Sequence, residues 1–92
     1  MIDNTEPVLL DTSVWIDALR GKTPEIVAET QALLNDDRVL TCGPVLFEIK
    51  RGITIPTMDV LIAQICLHYQ VYLFTLDEHF QSVPGLKLFT AK

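Results

Sequence analysis

The sequence has few thiols, few basic groups and no long hydrophobic run. Its two cysteines, Cys42 and Cys66, stand 24 positions apart and belong to no CxxC or Cys/His spacing. A zinc ligand set is therefore not expected; both are read as buried free thiols of a protein kept in a reducing compartment. Only two histidines occur, His68 and His79. Neither forms a catalytic Ser/His or Cys/His pattern or a metal-ligand spacing, so both are read as structural or surface groups. The glycines form no phosphate-cradling loop and no GxSxG elbow. The longest apolar-dominated stretch, residues 60–67, is far below the roughly 20 residues a membrane span needs. The first seven residues are acidic rather than basic, unlike a secretory leader. A soluble cytoplasmic protein is the expectation. Seven Lys and Arg face 12 acids, a net charge of −5, which argues against a broad DNA-coating surface.

What is present is apolar material and well-placed acids. Hydrophobic residues make up 49 % of 92 positions, enough to expect a folded chain rather than a disordered one, read as one domain over residues 1–92. A chain this short buries about two-thirds of its unfolded surface, and a partner surface would help complete its core. No internal repeat, low-complexity run or linker interrupts it.

Residues 8–10 (VLL) read as a buried strand stopped by Asp11-Thr12-Ser13, with Thr12 or Ser13 able to cap the helix that follows. That helix spans residues 14–20 and ends at Gly21. Thr23-Pro24-Glu25 is a helix start, with a capping hydroxyl, proline at the first position and an acid in the first turn; the helix runs to about Leu34, before the turn Asn35-Asp36-Asp37. Residues 38–42 (RVLTC) predict a second strand. Gly43-Pro44 opens a helix closed by Gly52, and a longer helix runs from Thr57, as a cap, to about Tyr69. Between Val60 and Leu67 only Gln64 is polar, so this helix should be covered on most sides. Residues 71–75 (VYLFT) and 86–90 (LKLFT) predict a third and a fourth strand, joined through Pro84-Gly85. Alternating strands and helices imply a parallel α/β sheet covered on both faces, with functional groups at the carboxyl ends of its strands.

Four acids fit such a site, although each also has a plain structural role. Asp11, just after the first strand, can serve as a helix N-cap. Asp59, in the first turn of an apolar helix, can complement the helix dipole, yet a carboxylate in such surroundings needs a partner. Glu48 can pair with Arg51 one turn on. Asp77 can start the turn containing Glu78 and His79. As a set, they sit at element ends or on apolar elements, and carboxylates brought together repel unless something positive lies between them. A divalent Mg²⁺ or Mn²⁺ ion is the simplest such group. Without the four, eight acids face seven bases, so the overall acidity says little against an RNA substrate. Of the remaining acids, Asp3 and Glu6 read as part of an N-terminal tail, and the others, Asp17 included, as helix or turn positions.

These segments resemble a known family. VLLDTSVWIDALRG is similar to the opening strand and helix of PIN-domain ribonucleases, especially VapC-type toxins of toxin–antitoxin pairs. GPVLFEIKRG resembles their second acidic motif, with Glu48 as its glutamate. ITIPTMDVLIAQICLHYQVYLFTLDEHFQSVPGLKLF resembles their closing region, Asp59 matching the third acid and Asp77 the fourth. The resemblance implies a truncated PIN-like α/β domain: a short, mainly parallel sheet of about four strands flanked by helices. It further implies Mg²⁺- or Mn²⁺-dependent cleavage of RNA, with Asp11, Glu48, Asp59 and Asp77 as the catalytic, metal-binding acids. A cognate antitoxin and a homodimer are the implied partners.

The chain departs from that pattern in its middle. The family carries two or more helices between the second and third acidic motifs, whereas Glu48 and Asp59 are only 11 apart here. The resemblance implies that an internal segment has been lost, with the join near Arg51-Gly52. The long helix loses the cover those helices would give, and a subunit exchanging its C-terminal segment across residues 52–56 would supply it. Two functions follow: an active ribonuclease, favoured by the four acids, or a weakened remnant that binds an antitoxin or a sister chain, favoured by the shortened middle. A Mg²⁺ phosphatase or receiver-like domain fits less well, for want of a phosphate-binding glycine loop or a nucleophilic Asp motif around Asp11.

Overall fold

The computed structural model describes residues 6–43, 45, 46, 49 and 56–90, with the backbone alone at Pro56 and Thr57. Three short strands form one parallel sheet in the order β2-β1-β3. The strands are β1 (Val8–Leu10), β2 (Val39–Leu40) and β3 (Tyr72–Phe74). Val8 and Leu9 pair with Val39 and Leu40 on one side, and Val8, Leu9 and Leu10 pair with Tyr72, Leu73 and Phe74 on the other.

All three residues of β1 are buried because the central strand has helices over both faces. Side chains alternate along a strand, and the two cores follow that period. Val8, Leu10 and Phe74 join Val14, Ile26, Leu33 and Phe89 on one face, under α1 (Thr12–Arg20) and α2 (Pro24–Asn35). Leu9 and Leu73 join Val45, Ile62, Ala63, Cys66, Val71 and Phe80 on the other, under α3 (Pro56–Tyr69). Trp15 packs against both groups. The chain thus runs from β1 to one edge of the sheet and later to the other, which puts a topological switch point beside the carboxyl ends of β1 and β3.

Helices α1, α2 and α3 close alike. A left-handed residue directly after the helix, or in α2 the second residue after it, sends its N–H to the carbonyl three residues back, while the following N–H reaches five back. Gly21 (φ +64°) and Lys22 bond to Ala18 and Asp17; Asp37 (φ +55°) and Arg38 to Leu34 and Leu33; Gln70 (φ +55°) and Val71 to Leu67 and Cys66. The last two closures deliver the chain directly into β2 and β3.

Most expected elements are present, with shorter strands; of the helix expected from Gly43-Pro44 to Gly52, residues 43, 45, 46 and 49 are helical and the rest lies outside the described residues. Residues 38–42 contribute only Val39 and Leu40, and residues 71–75 only Tyr72 to Phe74. The fourth strand expected over residues 86–90 is reduced to one parallel bridge, Leu73 to Leu88. Leu73 N–H donates to the Lys87 carbonyl at 2.9 Å and its carbonyl accepts from Phe89 N–H at 2.8 Å. Only the central residue of the three-residue β3 exchanges these bonds, while Phe89 turns into the core against Phe74, ring centres 5.2 Å apart. A 3₁₀ helix (Glu78–Ser82) fills the connection before Pro84-Gly85. Helix α3 begins at Pro56, so Thr57 lies inside its first turn and is not its cap. Nor is α3 covered on most sides: Ile62, Ala63 and Cys66 are buried, but Val60 is 62 % exposed and Tyr69 69 %. Among the described residues, no helix is long and apolar enough to cross a membrane.

Candidate metal centre

Asp11 leaves β1 in extended conformation and occupies the N-cap position of α1. Its N–H donates to the Phe74 carbonyl at 2.8 Å, tying the end of β1 to the end of β3, and its own carbonyl accepts from Val14 and Trp15. The side chain does not cap the helix, and neither Thr12 nor Ser13 stands at the cap position. Instead, Asp11 Oδ2 accepts two hydroxyl hydrogen bonds, from Ser13 Oγ at 2.8 Å and from Thr75 Oγ1 at 2.8 Å. The carboxylate is 4 % exposed, so this pair of donors replaces much of the water it gave up.

Both hydroxyls also serve the loop after β3. Thr75 Oγ1 accepts from Asp77 N–H at 3.0 Å, and Ser13 Oγ accepts from Leu76 N–H at 3.0 Å. The loop carrying Asp77 is therefore held directly to the group that holds Asp11. Asp77 in turn starts the 3₁₀ helix, its Oδ1 accepting from His79 N–H at 3.0 Å. The turn role open to Asp77 from sequence is thus observed, together with a second one. Its Oδ1 also lies 2.8 Å from the His79 ring Nδ1, and one oxygen each of Asp59 and Asp77 and one ring nitrogen of His79 lie within 4.8 Å of one another.

Of the four expected acids, then, Asp59 and Asp77 come together, from the first turn of α3 and the loop after β3. Asp11 joins no such group of three among the described residues, but it is one hydroxyl away from the backbone of Asp77. Glu48 lies outside the described residues. His79 belongs to the group, on an 88 % exposed side chain that agrees with its reading as a surface residue. The only local signal was the Asp-x-His spacing from Asp77; its other partner, Asp59, is 20 positions away in sequence. Asp17 stays apart, its carboxylate accepting from Thr23 N–H at 3.0 Å and Thr23 Oγ1 at 2.8 Å.

The donor set suits a divalent cation, with two hard carboxylate oxygens and one imidazole nitrogen. Cys66 adds nothing to it. Burial, followed by the nearby Cys42 and Asp11, pushes its thiol up to about 12, and metals take the thiolate. Beside the centre lies a groove of about 450 Å³, shared by Asp59 and His79 and walled by Val60, Ala63, Leu67, Phe80 and Val83. Among the described residues, none lining this groove is Lys or Arg. The buried Arg38 directs Nε to the Glu6 carbonyl at 2.9 Å, and Lys87 sits 4.9 Å over the Tyr72 ring. No family model, curated protein or solved structure matches the chain.

Proposed function

We propose that this protein is a metal-dependent endoribonuclease of the PIN/VapC type, acting on cytoplasmic RNA. The observation that carries the reading is the convergence of Asp59, on α3, with Asp77 and His79 within 4.8 Å; the loop carrying Asp77 is bound through Thr75 to Asp11 at the switch point of a parallel sheet. In this reading Asp59 and Asp77 hold Mg²⁺ or Mn²⁺, and Asp11 and Glu48 complete the acid set. A bound ion of this kind lowers the pKa of a coordinated water and offsets charge developing on a phosphodiester. The chain's own part is to fix the acids: two hydroxyls orient the buried Asp11, and the Asp77 turn is closed by the His79 N–H. The groove beside the centre gives an RNA segment room to lie against Asp59.

A second reading is supported by α3. Val60, Leu61, Leu67 and Tyr69 are 62, 48, 38 and 69 % exposed, a large apolar share for one helix of a small domain. A homodimer, with or without exchange of the segment after residue 52, or a cognate antitoxin would cover them, and a remnant that only binds would keep that surface.

RNA cleavage with Mn²⁺ or Mg²⁺ separates the two. Under the ribonuclease reading the wild type cuts, and Asp11→Asn and Asp59→Asn each lower the rate at least 100-fold. Cleavage that persists in both variants refutes the site. A folded wild type that cuts nothing with either metal leaves the binding module.

A further inference from the structure

His79 is the one nitrogen donor in the group. Its ring is not held by core packing, since the side chain is 88 % exposed. Nor is the ring needed for the turn, because the residue's backbone N–H makes that bond to Asp77. The ring Nδ1 stands at ion-pair distance, 2.8 Å, from Asp77 Oδ1, and one ring nitrogen lies within 4.8 Å of an oxygen of Asp59, on a different element. Metal–ligand bonds of roughly 2.0–2.2 Å set neighbouring ligand atoms about 3 Å apart and opposite ones about 4.3 Å apart. The three atoms therefore span little more than one coordination sphere.

Donor chemistry then discriminates between ions. Mg²⁺ favours oxygen ligands and retains its waters, whereas imidazole nitrogen suits first-row transition ions. We propose that the centre prefers a first-row transition ion to Mg²⁺ and that His79 is the ligand responsible for the preference. The inference rests on the metal-centred reading above and adds to it the class of ion. His79 is a ligand in this scheme, and the two carboxylates supply the charge that any divalent ion needs.

The test uses the full chain with Mn²⁺ and Mg²⁺ alone. Mn²⁺ binding is read from loss of the free-ion electron paramagnetic resonance signal, Mg²⁺ binding from competition, and ligand type from pulsed detection of ¹⁴N coupling to bound Mn²⁺. Wild-type protein should bind Mn²⁺ more tightly than Mg²⁺ and show the ¹⁴N coupling. His79→Ala, a change at an exposed side chain, should lose the coupling and weaken Mn²⁺ at least five-fold while moving Mg²⁺ less than two-fold. Asp59→Asn should weaken both ions together. If wild type binds Mn²⁺ without ¹⁴N coupling, or His79→Ala weakens both ions equally, the role of His79 falls while the acid centre stands. A folded wild type that binds neither ion overturns the centre and the inference together.

Discussion

Replacing Thr75 by valine removes one oxygen from the junction between β1 and β3 and keeps the shape and strand preference of the side chain. That oxygen donates to the buried Asp11 carboxylate at 2.8 Å and accepts from Asp77 N–H at 3.0 Å. A hydrogen bond to a charged group contributes about 1.5–3 kcal/mol. The second bond adds less, because Asp77 is one-third exposed and water can replace the lost acceptor. Ser13 Oγ remains on Asp11 Oδ2, so the carboxylate keeps one donor. The expected loss is about 2–3 kcal/mol, or roughly 8–24 °C in melting temperature for a domain of this size. Urea unfolding followed by circular dichroism measures it, with Thr75→Ser as the control that keeps the hydroxyl and stays within about 1 kcal/mol of wild type. If the valine and serine variants unfold within 0.5 kcal/mol of each other, on the order of a neutral surface change, the hydroxyl does not hold the junction and the account of Asp11 is wrong.

Other perturbations test other parts of the fold. The Cys66 thiol is raised from 9.0 to about 12, chiefly by burial. The folded chain keeps a proton that the unfolded chain loses, so stability is complete below about pH 9 and falls as pH rises towards 12. Urea midpoints between pH 8 and 10.5 should therefore slope downward more steeply in wild type than in Cys66→Ala, and equal slopes contradict the assignment. Asp17→Asn weakens two bonds from Thr23 and should cost about 1–2 kcal/mol, with Mn²⁺ affinity unchanged; a large loss of metal binding would show that Asp17 belongs to the site. Gln70→Gly relieves a left-handed residue at φ +55° and should raise stability by about 0.5–1 kcal/mol in the same assay, whereas a loss would mean that the side chain matters more than the backbone.

Local chemistry made much of this fold legible. VLL and YLF are uniformly apolar because both faces of the sheet are covered, and Gly21 and Thr23-Pro24 mark a helix end and a helix start by their backbone preferences. Asp11 and Asp77 could be located because each follows a strand. Partners distant in sequence could not be read. The Ser13 hydroxyl was expected at a helix cap, but a buried carboxylate two residues earlier and Thr75, 62 positions later, draw it elsewhere. His79 had no visible reason to matter until α3 brought Asp59 alongside. The fourth strand failed for a related reason, since a β-like stretch needs a neighbour of sufficient length, and β3 offers one residue.

The long helix connects these points. Its composition asks for cover on most sides, but the described structure buries only a stripe through Ile62, Ala63 and Cys66 against Leu73 and Phe80. Asp59 lies one turn before that stripe, so the position of its carboxylate relative to Asp77 depends on how α3 sits on β3. The stripe fixes one side of the helix, while Val60, Leu61, Leu67 and Tyr69 leave the other without cover among the described residues. Whatever covers that side adds restraint to Asp59 as well as buried area. Under the proposed reading, assembly and metal binding would be linked through one helix, and a partner docking on α3 should tighten the ion even when it contributes no ligand.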